Sequence, residues 1–476
     1  MKNFLIIDIG TSSLRVAIMN EKLDILRTEV KKRSVEACFS AEEEWQNLFC
    51  MMKQIIQSEK RKIDGIAVSS LLGWVGIDKD GNAVTPCYSY MHQCIEEYEE
   101  FRQKYTDDII HPISRRCISS ELAIFKLLEL KKNHQDLYGK MSKFISLKDF
   151  INRKITGIAA IDHTSASYTM LYDVQNEEWS QDILEYSGLD REKLANLVRP
   201  YEAVGHPLDE IAAELGISSD IPVAAGSVDG STGILGAGAV NAKTAVSVMG
   251  TTEVFFMVED RLPFDKTKSI IVNPHVIPGL WLVGGPMGMY GGTLDWMLNN
   301  IMNRAFSVKQ MDELAGNIPA GSEGVVFVPS LAGERAPFWN PQVRGTVVGM
   351  EYKHKAEHLF RAIMEANGYS IRKTVETGRD NGVCFDRVYA IGGGSKSDVW
   401  LQLKADIIGT AFERPAIEEA TMAGACLLAM MAGGIKALPK AKVIKSFSAN
   451  MKEKEKYDFY YEKYMRIHDK IVDLYN

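Results

Sequence analysis

The chain has 476 residues, a formal net charge of -7, 46% hydrophobic and 25% charged residues. That is the composition of a folded globular protein, and it excludes disorder, collagen and coiled coil as whole-chain readings. Lys and Arg are dispersed, so no basic stripe supports a nucleic-acid partner. At roughly 150 residues per domain, the length predicts about three domains. The seven cysteines (Cys38, Cys50, Cys87, Cys94, Cys117, Cys384 and Cys426) are odd in number and show no C-x-x-C spacing. They read as reduced thiols of a cytoplasmic protein, neither a disulfide framework nor a zinc site. Asp8 interrupts the first apolar run too early for a signal-peptide core. The most apolar later stretch, residues 424–435, falls short of the roughly twenty residues of a membrane-spanning helix.

Residues 4–7 and 14–19 are apolar runs on either side of Asp8-Ile9-Gly10-Thr11-Ser12-Ser13. This pattern predicts a β-hairpin. Ser40-Ala41-Glu42-Glu43 has the form of a capping box, opening a helix through Trp45, Leu48, Met51 and Ile55. Residues 63–69 predict a buried strand, and residues 121–131 a helix. Residues 222–225 are strand-like and lead through small residues to Asp229. Residues 245–249 and 254–257 bracket Gly250-Thr251-Thr252-Glu253 and predict a second hairpin. Residues 388–391 form a strand running into Gly392-Gly393-Gly394-Ser395, ahead of a helix over 398–408. Tyr457, Tyr461, Tyr464, Ile467 and Ile471 recur at helical spacing, predicting a C-terminal helix that covers a domain surface. Strands alternating with helices through both halves predict an α/β fold. Half of 476 is 238, and Gly10 and Gly250 lie 240 residues apart, which points to an internal duplication.

Several segments carry chemistry. A Gly-Thr-Ser turn offers converging N–H groups without a Cβ in the way, suited to phosphate. Asp8 at the strand end could hold Mg²⁺ through water, and Arg15 could meet a terminal phosphate. Asp229, among small residues, suits a general base, set against the plainer reading of a turn aspartate held by its own backbone. Gly392-Gly393-Gly394-Ser395 could cradle phosphate or adenosine at a helix start. Gly291-Gly292 and Ala423-Gly424-Ala425 read as close-approach sites. His354-Lys355-Ala356-Glu357-His358 matches a zinc-protease pattern without a third ligand, and a solvated helix start is the better reading.

Taken together, Asp8 to Ser12, Gly226-Ser227-Val228-Asp229-Gly230, Gly250-Thr251-Thr252, Gly333-Glu334-Arg335-Ala336-Pro337, Gly392 to Ser395 and residues 419–425 resemble the FGGY family of carbohydrate kinases. Within it, they are most similar to the xylulokinase and gluconokinase branches. The resemblance implies two RNase H-like domains of the actin/hexokinase superfamily with a cleft between them. These would be an N-terminal domain over 1–240, a C-terminal ATP-binding domain over 241–435, and a helical tail over 436–476 packed on the latter. It implies ATP-dependent phosphorylation of a ketopentose, sugar acid or related polyol, with Asp229 as base and Asp8 orienting Mg²⁺. Gly10, Thr11, Ser12, Arg15, Gly250, Thr251 and Thr252 would serve the phosphates. Gly291, Asp295, Gly393, Gly394 and Ser395 would face the nucleoside.

The departures fall in the sugar half. Ser70-Leu71-Leu72 stands where the family has Gln-Met-His or Ala-Met-His. Tyr90-Met91-His92-Gln93-Cys94 replaces Trp-x-Asp-x-Arg, and Lys126-Leu127-Leu128-Glu129 replaces Lys-Leu-x-Trp. Ser70, Leu71, His92, Glu121 and Asp229 are the substrate candidates. The competing readings are a sugar-binding pseudokinase and an actin- or chaperone-like ATPase. No nucleic-acid or membrane partner is expected, and scattered apolar surface permits a homodimer.

Overall fold

The computed structural model describes residues 1–34, 36–439 and 441–475. Two compact units take the place of the three domains suggested by length. The first comprises Met1–Gly238, Asn273–Gly279 and Glu419–Lys440; the second comprises Ala239–Val272, Leu280–Glu418 and Ala441–Asn476.

In the first unit the apolar runs of the N-terminal segment pair as an antiparallel hairpin, Asn3–Ile9 with Ser13–Asn20, extended by Ile25–Lys32. Ile66–Ser70 joins the other side of Asn3–Ile9 in parallel, and Val223–Ala224 follows it, again parallel. Every residue of Ile66–Ser70 is buried, as a strand covered on both faces must be. The second unit repeats this plan. Thr244–Met249 and Glu253–Glu259 form the hairpin, Trp281–Pro286 extends it, and Arg387–Ile391 and then Ala411–Pro415 add in parallel. A three-strand meander beside two parallel strands therefore occurs twice, as the 240-residue spacing predicted.

Local signals account for the helices. Ser40 accepts a hydrogen bond from the Glu43 amide and opens Ala41–Glu59, which buries Trp45, Leu48, Met51 and Ile55. The helix expected over 121–131 runs Ala123–Asn133. The C-terminal helix Met451–Asp473 sinks Tyr457, Tyr461, Tyr464 and Ile471 into the core of the second unit. The nitrogens Nδ1 of His354 and His358 accept backbone N–H bonds from Glu351 and Lys355, so the motif opens a helix as expected, but both rings are buried there and not solvated.

One element falls on the other side of the expected boundary. The helix Ala420–Ala432, assigned by sequence to a domain over 241–435, belongs to the first unit. Its packing explains why. It meets the helix Asp229–Gly236 at glycines on both sides: a Cβ on Gly424 would stand 1.8 Å from the Thr232 carbonyl oxygen, and one on Gly236 would stand 1.9 Å from that of Ala420. Backbone meets backbone there, so any side chain must push the helices apart. Gly424→Ala is expected to cost about 1–3 kcal/mol, read as a lowered urea midpoint. An unchanged midpoint would mean the two helices do not pack this closely.

Candidate active site

In the first unit, Asp8 is the penultimate residue of the first strand, in register with Arg15 on one side and Ser69 on the other. It is 5% exposed, and its Oδ1 has no hydrogen-bond partner among the described residues. Its Oδ2 lies 3.9 Å from Arg15 Nη1. Burial, reinforced by the negative charge of Asp229 and only partly opposed by Arg15, pushes the Asp8 carboxyl up to about 7. A buried carboxylate with an orphaned oxygen and a second carboxylate near it suits a hydrated divalent cation, so these residues fit the expected Mg²⁺. Arg15 is held by Ser13 Oγ at 3.1 Å and by Glu419 at 2.6 Å. The turn beyond it leaves Thr11 and Ser12 exposed, while the Gly10 amide closes the hairpin on the Ser13 carbonyl. Arg33, which the sequence did not single out, braces the turn from behind: its Nη1 donates to the Gly10 carbonyl at 3.3 Å, and it pairs with Glu44 at 2.7 Å.

Asp229 is the first residue of the helix Asp229–Gly236, and its Oδ1 accepts the Gly230 amide at 2.7 Å. Burial pushes its carboxyl up to about 6, with the Gly230 hydrogen bond pulling the other way. The segment leading to it has no freedom. Gly226 has φ +70°, and a Cβ there would stand 1.9 Å from the Val68 carbonyl oxygen, so only glycine fits. A buried network then clamps the same segment. Ser227 Oγ donates to Asp162 at 2.9 Å, Asp162 pairs with Lys148 at 2.8 Å, and Lys148 also pairs with Asp149. Asn152 donates to the Ala225 carbonyl at 2.8 Å. Thr232 and Ser69 share a hydroxyl hydrogen bond of 2.8 Å, tying the Asp229 helix to the central strand. Lys148, Asp149 and Asn152 escape sequence reading because their helix, Leu147–Thr156, carries no motif.

The substrate candidates are placed unequally. Ser70 and Leu71 are each 2% exposed, and the Ser70 hydroxyl is satisfied by the Leu71 carbonyl. His92 pairs with Glu129 at 2.7 Å, and Glu121 accepts from Ser119.

In the second unit the remaining candidates gather around one hairpin. Gly250 and Thr251 are exposed at its tip. A Cβ on Gly291 would stand 2.2 Å from the Gly250 carbonyl oxygen, and the Gly292 amide donates to Thr251 at 2.9 Å. Gly291 is thus required by packing on the hairpin turn itself. Asp295 is exposed on the same helix, Tyr290–Trp296. Gly392 (φ +86°) and Gly394 press on Met249, the last residue of the hairpin strand Thr244–Met249. Gly393 beside them is exposed, while the Ser395 hydroxyl turns back to the Gly392 carbonyl at 2.7 Å. Beneath the turn, Lys404 donates to Glu253 at 2.9 Å and to Ser247 at 3.1 Å, all three side chains being buried. Lys404 was invisible from sequence, since it stands midway along an ordinary helix.

Two buried acidic groups in one unit, and a glycine-walled turn with exposed hydroxyls in the other, are features of phosphoryl-transfer proteins. Residues 3–236 match the N-terminal domain, and residues 245–433 the C-terminal domain, of the FGGY family of carbohydrate kinases. The chain belongs to this family. Curated relatives include the xylulose kinase of Bacillus subtilis, 28% identical over 451 residues, with 91% of this chain and 89% of that protein covered. The gluconokinase of Bacillus subtilis is 27% identical, covering 90% and 87%. Among solved structures, a ligand-bound xylulose kinase from Lactobacillus acidophilus superposes with a TM-score of 0.93 at 22% identity, covering 100% of this chain and 99% of that one. That likeness establishes the two-domain α/β fold. The protein is accordingly a carbohydrate kinase, and no helix among its described residues is long and apolar enough to cross a membrane.

Proposed function

We propose that this carbohydrate kinase transfers the terminal phosphoryl group of ATP to a hydroxyl of a ketopentose, a sugar acid or a related polyol, with Asp229 as general base. The observation that carries this reading is the Asp229 carboxyl, raised to about 6 at the start of a rigidly held helix. It is ionised at neutral pH, yet basic enough to take the proton of an attacking hydroxyl. As the acceptor oxygen bonds to the γ-phosphorus, its proton passes to Asp229 and the bond to the bridging oxygen breaks, releasing ADP. Relatives named xylulose kinase and gluconokinase support an acceptor of these classes.

Asp8 would hold Mg²⁺ through water; when bound, the ion neutralises phosphate charge and aligns the transferring group. Thr11 and Ser12 would offer donors to phosphate, Gly10 beside them would leave room for its approach while its own amide closes the turn, and Arg15, positioned by Glu419, adds a cation. In the second unit, Gly250, Thr251 and Thr252 would take phosphate, with Gly291, Asp295, Gly393, Gly394 and Ser395 lining the nucleoside. Asp8→Asn removes a charge that this role needs. The Mg²⁺ concentration for half-maximal rate should rise about 10–100-fold, and an unchanged Mg²⁺ dependence would remove Asp8 from the metal site.

Coupled ADP release across pentuloses, hexuloses, sugar acids and polyols tests the whole reading. One class should stimulate turnover strongly. Equal turnover with and without every acceptor would favour an ATPase, and none with any acceptor a pseudokinase.

A further inference from the structure

Three residues that depart from the family pattern meet in space, although they come from two separate segments. His92 and Cys94 stand where the family has Asp and Arg, just ahead of the helix Ile95–Lys104, and Glu129 stands where it has Trp, on the helix Ala123–Asn133. The His92 ring nitrogen, the Cys94 sulfur and a Glu129 oxygen all lie within 4.8 Å of one another. His92 Nε2 is 2.7 Å from Glu129 Oε2, and Cys94 Sγ is 3.7 Å from the same oxygen.

From these positions we infer that His92, Cys94 and Glu129 form a binding site for a divalent transition metal of the zinc class, which sugar phosphorylation itself does not call for. Imidazole, thiolate and carboxylate are the donors zinc takes, at about 2.0–2.3 Å, and neighbouring donors around a tetrahedral ion then sit about 3.3–3.7 Å apart. The sulfur–oxygen separation already has that value. The nitrogen–oxygen pair opens by about half an ångström when an ion replaces the shared proton.

The surroundings are built for this. His92 Nδ1 lies 3.5 Å from Cys38 Sγ, so a proton on Nδ1 directed at that sulfur leaves the Nε2 lone pair for the metal, the outer partner that a ligating histidine needs. Lys126 Nζ donates to the His92 carbonyl at 3.1 Å, and the Cys94 amide donates to the Ser120 carbonyl at 3.2 Å. Tyr98 and Phe101 pack edge-on against Phe125, fixing one helix on the other. Cys94 is buried, whereas the His92 and Glu129 side chains keep 21% and 23% of their surface, leaving room for a water as fourth ligand. One thiolate and one carboxylate balance a dication. A thiol binds such an ion as thiolate, so metal binding releases the Cys94 proton. Cysteine spacing gave no hint of the site because only one of its three ligands is a cysteine.

The test is a Co²⁺ titration of the full-length, chelator-stripped, reduced protein. One Co²⁺ per chain should bind with a sulfur-to-metal charge-transfer band, and Zn²⁺ should displace it. The band should vanish in Cys94→Ser and persist in Cys50→Ser, which alters an exposed thiol. Glu129→Gln should keep the band but weaken Co²⁺ binding at least about tenfold, and it decides the matter if Cys94→Ser does not fold. No band in the unaltered protein, a band that survives Cys94→Ser, or unchanged affinity in Glu129→Gln would overturn the site.

Discussion

Asp229→Asn is expected to lower kcat by about 10²–10⁴-fold with little change in the KM for the sugar. Asparagine keeps the shape and still accepts the Gly230 amide through its oxygen, so the helix start and the pocket survive. What is lost is the ability to take a proton while the acceptor oxygen attacks. The pH profile supplies an independent check. A base whose carboxyl titrates at about 6 is active when ionised, so at saturating Mg²⁺, which holds Asp8 ionised, kcat/KM should hold above that pH and decline as pH falls through it. In Asp229→Asn the residual activity should lose this acid limb. A variant that keeps both its rate and its acid limb would assign the proton to another group.

The largest effect on stability is expected from Lys404→Ala. Lys404 and Glu253 are 0% and 1% exposed as a side-chain pair, 2.9 Å apart, and Ser247 bonds to both. Removing the lysine leaves a buried carboxylate without its counter-charge, which costs about 3–5 kcal/mol. Denaturant unfolding measures this directly. Because Glu253 closes the turn carrying Gly250 and Thr251, the same variant should raise the KM for ATP more than that for the sugar. Replacing both partners, as in Lys404→Met with Glu253→Leu, should recover much of the stability. A single variant within 1 kcal/mol of the parent would mean the pair is not buried in solution.

Much of this molecule was legible in its residues. The two hairpins stood out because each pairs apolar runs across a Gly-Thr turn, Asp8 because an acid interrupts an apolar strand just before such a turn, and Asp229 because it follows a strand among small residues, a setting that a turn aspartate shares. The C-terminal helix followed from its tyrosine spacing. What stayed hidden lies off the motifs. Lys148, Asp149 and Lys404 are ordinary helix residues whose burial becomes apparent only when strands bring their partners together. The placement of Ala420–Ala432 with the first unit depends on contact between Gly424 and Thr232, almost two hundred residues apart in the chain. Gly291 was read as a close-approach glycine and, through the family resemblance, as a nucleoside contact; the carbonyl of Gly250 already demands its missing side chain. Packing and ligand binding ask for the same residue there, and sequence alone does not separate them.

The central claim is that ATP's phosphoryl group ends on a sugar or polyol oxygen. Phosphorus NMR of the products, with Mg²⁺, ATP and the acceptor that stimulates ADP release, tests it most directly. The account predicts a new phosphomonoester resonance growing in step with ADP, and its loss in Asp229→Asn. ADP accompanied only by inorganic phosphate would contradict it.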